Sequence, residues 1–295
     1  LLGGQVAIGA AAIFARYALT GAGPLAVSAL RLAIATVALL TFAGSLRRVS
    51  IAREIALAAA GLALALHFAT WIASLSYTSV AISTLLVTTT PLWTEAFDVV
   101  RDHRAPSRSF VLALVLAFAG VALIASEHNG RPPIRGHELF GDGLALIGSL
   151  AIGAYLLIVR DAAVDSDGKR MQTRALVTRT YAFAALALIV AAGFAHQGPP
   201  PPSNTIAWAG IVAMALVSQL LGHTALNASL ASFTPSVVAL STLCEPVVAA
   251  ALAAIAFHER IGPETALGGV LVLGAVALVL RDTFSERKPG VSAVR

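Results

Sequence analysis

Charged residues fall in short clusters along the chain, and the stretches between them are apolar for twenty residues or more. From Ile55 to Thr94 there is no Asp, Glu, Lys or Arg over 40 positions. As one helix that run would reach about 60 Å, twice a hydrocarbon core of about 30 Å, so it holds two spans with a turn near residues 76–79. Residues 205–257 divide likewise, near Ser232 to Pro235. Breakers at residues 21–24, 105–106, 129–133 and 199–202 mark further boundaries. The pattern predicts ten helical spans, over residues 1–20, 24–44, 53–75, 79–99, 107–126, 139–160, 173–195, 205–226, 235–257 and 263–281.

The pattern also repeats. Ala73-Ser74-Leu75 and Ala228-Ser229-Leu230 lie 155 residues apart, as do Pro91 and Pro246, and Val121-Ala122-Leu123 and Val276-Ala277-Leu278. A period of half the chain means two structural copies rather than a short-period solenoid. Duplicated halves are a common way to build a carrier, with the site where they meet.

Composition agrees with membrane spans. The chain is 58% hydrophobic and 12% charged, with a mean hydropathy of +0.84; a soluble domain carries about 25% charge. The isoelectric point near 10.0 comes from basic residues in the loops, which fits positive-inside topology better than nucleic-acid binding. With the N-terminus inside, the cytoplasmic segments hold fourteen of the twenty Lys and Arg, and the external loops hold Arg131, Arg135 and Arg260. Both termini are therefore expected in the cytoplasm. Five spans per half then make the second copy inverted relative to the first. No cleaved signal peptide is expected, because no basic segment precedes the first apolar stretch. Cys244 is the single cysteine, expected as a small buried hydrophobe, so neither an intrachain disulfide nor a cysteine-based zinc site can form.

The Glu245-Pro246-Val247 triplet, the His258-Glu259-Arg260 turn and the Gly268-Gly269 to Gly274-Ala275-Val276 stretch resemble the second half of a tandem EamA-domain carrier. Pro24 opening a span with Arg31, and Pro91 in the fourth span, resemble its first half. The resemblance covers nearly the whole chain and points to the drug/metabolite transporter superfamily. It implies an all-α integral membrane protein of ten transmembrane helices, two inverted five-helix (5+5) repeats around a central cavity. The first repeat would span residues 1–128 and an external linker 129–138. The second would span 139–284, with a cytoplasmic tail over 285–295. By resemblance the job is export of amino acids, aromatic and other neutral ones, from a bacterial inner membrane by alternating access. Other cargoes of the same superfamily, a drug or a sugar, stay open, as does a non-transport membrane protein or membrane enzyme. One departure separates the halves: Thr90-Pro91 stands where the second half has Glu245-Pro246.

Candidate site residues follow from polar positions inside spans. His67, Trp71 and Ser74 share a face of the third span, and Gln219, His223 and Asn227 share one of the eighth. Such stripes either line a wet cavity or bond between helices. Thr88 on the fourth span and Tyr155 on the sixth join them, with Ser241 and Glu245 one turn apart on the ninth. The substrate-binding set is His67, Trp71, Thr88, Tyr155, His223, Asn227, Ser241 and Glu245. Trp71 and Tyr155 are expected against apolar side chains, with His67, His223, Asn227 and Glu245 at the amino and carboxylate ends in an order left open. Glu245 could equally be a structural group packed between helices. Arg31 and Arg179, at matching depths in the second and seventh spans, are expected as structural charges bonded to helix-terminal carbonyls, in preference to the alternative of substrate contact. Asp98 is expected to be compensated locally by Arg101 and Arg104. No nucleotide-binding loop, nucleophile elbow or metal-ligand cluster appears, so no catalytic residue, metal or cofactor is expected. The expected partners are the lipid bilayer and a small-molecule substrate, with no nucleic acid and the protein a monomer.

Overall fold

Prolines and small polar residues start the helices where the sequence punctuates them. The computed structural model describes residues 1–42, 48–78, 80–103, 105–127, 134, 136–257 and 262–286. The basic positions Arg131, Arg135 and Arg260, the 258–261 turn, Arg104 and the tail beyond 286 lie outside them. The first half runs through α1 (Leu2–Gly9), α2 (Ala11–Ala18), α3 (Pro24–Phe42), α4 (Ile51–Tyr77), α5 (Val80–Val87), α6 (Thr90–Asp102) and α7 (Arg108–Glu127). The second runs through α8 (Glu138–Ala162), α9 (Thr173–Phe194), α10 (Thr205–Ala213), a π-helical segment (Met214–His223) and α11 (Thr224–Ser229). It closes with α12 (Pro235–Ser241), a 3₁₀ turn (Thr242–Cys244), α13 (Glu245–Phe257) and α14 (Pro263–Glu286). Ser50, Asn204 and Thr234 cap α4, α10 and α12 by accepting the N–H of Arg53, Ala207 and Val237. No strand occurs among the described residues.

Among the described residues six helices are long and apolar enough to cross a membrane: Pro24–Thr41, Ile51–Tyr77, Glu138–Ala162, Thr173–Phe194, Thr205–Ser229 and Pro263–Arg281. Arg108–Ile124 and Pro235–Ala249 are shorter apolar helices. Each of the six buries half of its apolar window or somewhat less, and the remaining surface is as greasy. Val37, Leu62, Leu186 and Val270 are all more than half exposed. Such a belt would be an aggregation hazard in water and suits lipid. The protein is a multi-pass membrane protein.

Helix bounds repeat with the sequence period. Val80 and Pro235 start equivalent segments, Asp102 and Phe257 end them, and Arg108 and Pro263 start the next, each pair 155 residues apart. Packing repeats too. α7 lies against α14 and α3 against α9; α4 packs on α8 as α10 packs on α2.

Both segments that begin there are interrupted, and the prolines explain it. Pro91 has no N–H for the Val87 carbonyl four residues back, and the Thr90 hydroxyl donates to that carbonyl instead at 3.0 Å. Pro246 stands likewise over the Thr242 carbonyl, which the Glu245 N–H takes up as the helix tightens into the 3₁₀ turn.

α7 and α14 cross at two glycines. A Cβ on Gly120 would sit 2.5 Å from the Gly268 carbonyl oxygen, and one on Gly268 would meet that of Gly120. Backbones that close leave no room for any side chain. Gly120→Ala should lower the free energy of thermal unfolding in detergent by about 1–3 kcal/mol. Gly274→Ala, on the same α14 but with open space around it, should hold or gain stability. Equal effects at the two positions would contradict this packing.

Candidate functional site

The helix interruptions converge on one cavity. Ile8 and Ala11 flank the break between α1 and α2, Thr88 and Thr90 lie at the break between α5 and α6, and Thr242 and Glu245 bracket the 3₁₀ turn before α13. His223 ends the π-helical segment and also faces it. A further wall is α4, with His67, Phe68 and Trp71. The empty volume, open mouth included, is about 510 Å³. Broken helices leave backbone groups available at membrane depth, which is tolerated only where they line a cavity or are buried in protein.

The α4 wall is rigid. His67 Nδ1 donates to the Gly148 carbonyl of α8 at 2.9 Å, which fixes the ring. The Trp71 ring lies parallel to it, 5° apart with centroids at 6.2 Å. Phe68 meets His223 edge-on with centroids at 5.2 Å, tying α4 to the π-helical segment. The Trp71 indole N–H is buried without a partner among the described residues. The cavity therefore pairs aromatic faces with unspent polar groups.

Opposite in chemistry stands Glu245. It is the first residue of α13, where the positive end of the helix dipole favours a carboxylate. It is partly exposed to the cavity, and it has no ion-pair partner among the described residues. α1 presses on this end of α13 through Gly9, whose Cβ would fall 2.6 Å from Val248.

Five residues singled out in the sequence, His67, Trp71, Thr88, His223 and Glu245, thus line one cavity. The structure places the other three behind its wall. The Tyr155 hydroxyl donates to Asn227 Oδ1 at 2.8 Å, and Asn227 Nδ2 donates to the His223 carbonyl at 2.8 Å, so this pair braces the histidine. Ser241 accepts from Gln5 Nε2 at 2.8 Å and donates to the Val238 carbonyl. Thr88 faces the cavity while its hydroxyl bonds back to Thr84. Phe68, Thr90 and Thr242 were not anticipated. Thr90 had a signal, since it precedes the proline; an apolar residue such as Phe68 had none.

The two intramembrane arginines differ. Arg179 Nη1 donates to both carboxylate oxygens of Glu54, at 2.8 and 2.6 Å, joining α9 to α4. Arg31 is fully buried and donates from Nη2 to Gln219 Oε1 at 2.8 Å, with no helix-terminal carbonyl bonded to it among the described residues. Near the ends of α6 and α8 a third cationic group appears: Arg160 Nη1 lies 3.0 Å from Asp98 Oδ1. Asp98 therefore reaches 62 residues along the chain for its main partner, with Arg101 at 4.0 Å the weaker contact.

Comparison with known proteins agrees with this architecture. The model of the EamA-like transporter family matches residues 1–126 and again residues 139–281. An uncharacterized transporter of Archaeoglobus fulgidus is 22% identical over 205 residues, which cover 70% of this chain and 68% of that one. A protein of known crystal structure superposes with a TM-score of 0.72 over 98% of both chains, at 16% identity, and so shares the fold.

Proposed function

The chain belongs to the EamA-like transporter family, and we propose that it exports amino acids, aromatic and other neutral ones, by alternating access. In this reading ten spans form two inverted five-helix repeats, residues 1–128 and 139–284, and rock about the central cavity in a bacterial inner membrane. Both termini are cytoplasmic, and the protein works as a monomer. The 155-residue recurrence of helix bounds, breaks and packing supports the two-repeat arrangement. Within the superfamily the His67-Phe68-Ala69-Thr70-Trp71 stretch most resembles YddG, an exporter of aromatic and other amino acids.

One observation carries the cargo: a single cavity sets the Trp71 and Phe68 rings and two imidazoles against a carboxylate with no ion-pair partner among the described residues. Aromatic faces suit an apolar side chain, and the Glu245 carboxylate suits an ammonium. His67, His223 and Thr88 supply further polar contacts. Tyr155, Asn227 and Ser241 hold these groups in place, and Arg179 with Glu54 is a structural pair.

Purified protein in proteoliposomes, loaded with a panel of amino acids with and without a pH gradient, tests the reading. Efflux of aromatic and neutral amino acids is expected. Trp71→Ala should slow phenylalanine more than alanine, by about tenfold in relative rate, since an aromatic pair adds about 0.5–1.5 kcal/mol beyond the area it buries. Transport of sugars or drugs with no amino acid moved would assign the cavity another cargo of the superfamily.

A further inference from the structure

Behind the Phe68 wall lies a cluster of buried polar side chains. Arg31 enters it from α3, wholly excluded from solvent, with its guanidinium 4.0 Å from the Phe68 ring centroid. Nη2 is spent on Gln219, while Nε and Nη1 are buried without a partner among the described residues. The Gln219 amide Nε2 and His223 Nδ1 are buried and unpartnered among the described residues as well, and the Tyr181 hydroxyl is buried beside them. Tyr181 stands beside Gln219, Thr224 and Asn227, and near Arg31. Arg31 makes no ion pair among the described residues.

The protein's other buried or half-buried arginines show what a structural role looks like here. Arg53 gives Nε and Nη2 to the Ala162 and Ala163 carbonyls at 2.7 Å each, closing the C-terminus of α8. Arg179 has Glu54. Arg31, the most buried of them, has one neutral amide oxygen and no carboxylate among the described residues. Burying an uncompensated charge is among the most destabilising things a core can do. The cluster is short of an acceptor carrying negative charge.

We propose that Arg31, Gln219 and Tyr181 bind the carboxylate of the transported molecule. The guanidinium keeps N–H groups on Nε and Nη1 for a carboxylate's oxygens, and the Gln219 amide and the Tyr181 hydroxyl add further donors. One arginine neutralises one charge, so a monoanion fits where a phosphate dianion would leave a buried excess. Phe68 belongs to both cavity and cluster: its ring lines the cavity and carries the guanidinium. A carboxylate arriving from the cavity passes Phe68 and His223 to reach Arg31. With Glu245 for the ammonium, the site then carries the two charges of a zwitterion, in the opposite sense. This assignment rests on the amino-acid reading and adds to it which group holds which end.

Three ligands separate the possibilities when titrated into purified protein: phenylalanine, phenylalaninamide without the carboxylate, and 3-phenylpropionate without the ammonium. Wild-type protein should bind phenylalanine about tenfold or more tightly than the amide. Arg31→Gln should bring the two to the same affinity. Gln219→Glu supplies the missing countercharge from within, so it should erase the preference while raising the melting temperature, and it serves if Arg31→Gln does not fold. A folded Gln219→Glu protein that still prefers the carboxylate would overturn the proposal, as would equal wild-type binding of phenylalanine and its amide, which leaves the amino-acid reading intact. If 3-phenylpropionate alone binds, and loses affinity in Gln219→Glu, the anion site stands and the amino-acid reading fails. If none of the three binds, both fall.

Discussion

Replacing Asp98 with Asn should unlatch one end of the helix bundle. Asp98 is 1% exposed near the end of α6, yet it bonds across to two helices of the other half. Arg160 of α8 reaches Oδ1 at 3.0 Å, and the Ser236 hydroxyl of α12 donates to Oδ2 at 3.3 Å. Around it, Arg53 is bonded to the α8 carbonyls, Arg170 donates to the Leu230 carbonyl and Arg179 holds Glu54. All these contacts lie at the end that charge counting assigns to the cytoplasm, and all join residues of the first half to the second or tie the second half to itself. Removing one partner of a buried pair costs about 3–5 kcal/mol. Arg160 keeps Asp161 at 2.8 Å and is partly exposed, so the loss here should be smaller, about 1–3 kcal/mol. A shift of that size changes the population of a state open at this end about tenfold or more. The measurement uses Cys244→Ser protein with a cysteine at Thr94, one turn deeper than Asp98 and 0% exposed. An impermeant thiol reagent added from the basic-loop side should label it about tenfold faster once Asp98 is Asn. An unchanged labelling rate would show that the seam does not gate this end.

This seam shows where reading the sequence stops. Asp98 invited local compensation by Arg101 because both lie on one helix; the partner it takes, Arg160, is set by how α6 and α8 approach. The repeat, by contrast, was legible, because prolines and apolar lengths act locally and recur at 155 residues. Pro91 and Pro246 mark both breaks, although the apolar pattern predicts spans continuous through them. A proline announces a lost N–H but not which hydroxyl or turn takes up the freed carbonyl. His67 and Trp71 were legible as a stripe because α4 is regular there. On the eighth span the α-helical spacing assumed for Gln219, His223 and Asn227 met a π-helical segment over Met214–His223, so Gln219 turns toward Arg31 while His223 faces the cavity. Wider turns of this kind arise from packing and leave no mark in composition. Phe68 was invisible for a simpler reason. An apolar residue in an apolar helix becomes a wall only through what stands on its two sides.

Glu245→Gln should abolish most transport while leaving the fold intact. The substitution keeps the side chain's size and most of its hydrogen bonding, and the carboxylate has no ion pair among the described residues to lose. A structural carboxylate packed between helices would be expected to hold a cation or several donors, as Asp98 and Glu54 do. Glu245 instead begins a broken helix at the cavity, where a charge on the cargo can reach it. Hydrogen bonds to a charged group contribute about 1.5–3 kcal/mol, so an ammonium that loses the carboxylate should bind about ten- to a hundredfold more weakly. Phenylalanine efflux from proteoliposomes should fall by that factor, with the melting temperature within a few degrees of the parent's. Binding of 3-phenylpropionate, which has no ammonium, should be untouched by the same change. That contrast separates two roles for the carboxylate. Loss of binding for both ligands would mean that Glu245 shapes the cavity rather than reading the ammonium. Unaltered efflux by well-folded Glu245→Gln protein, at every pH tried, would remove it from the mechanism.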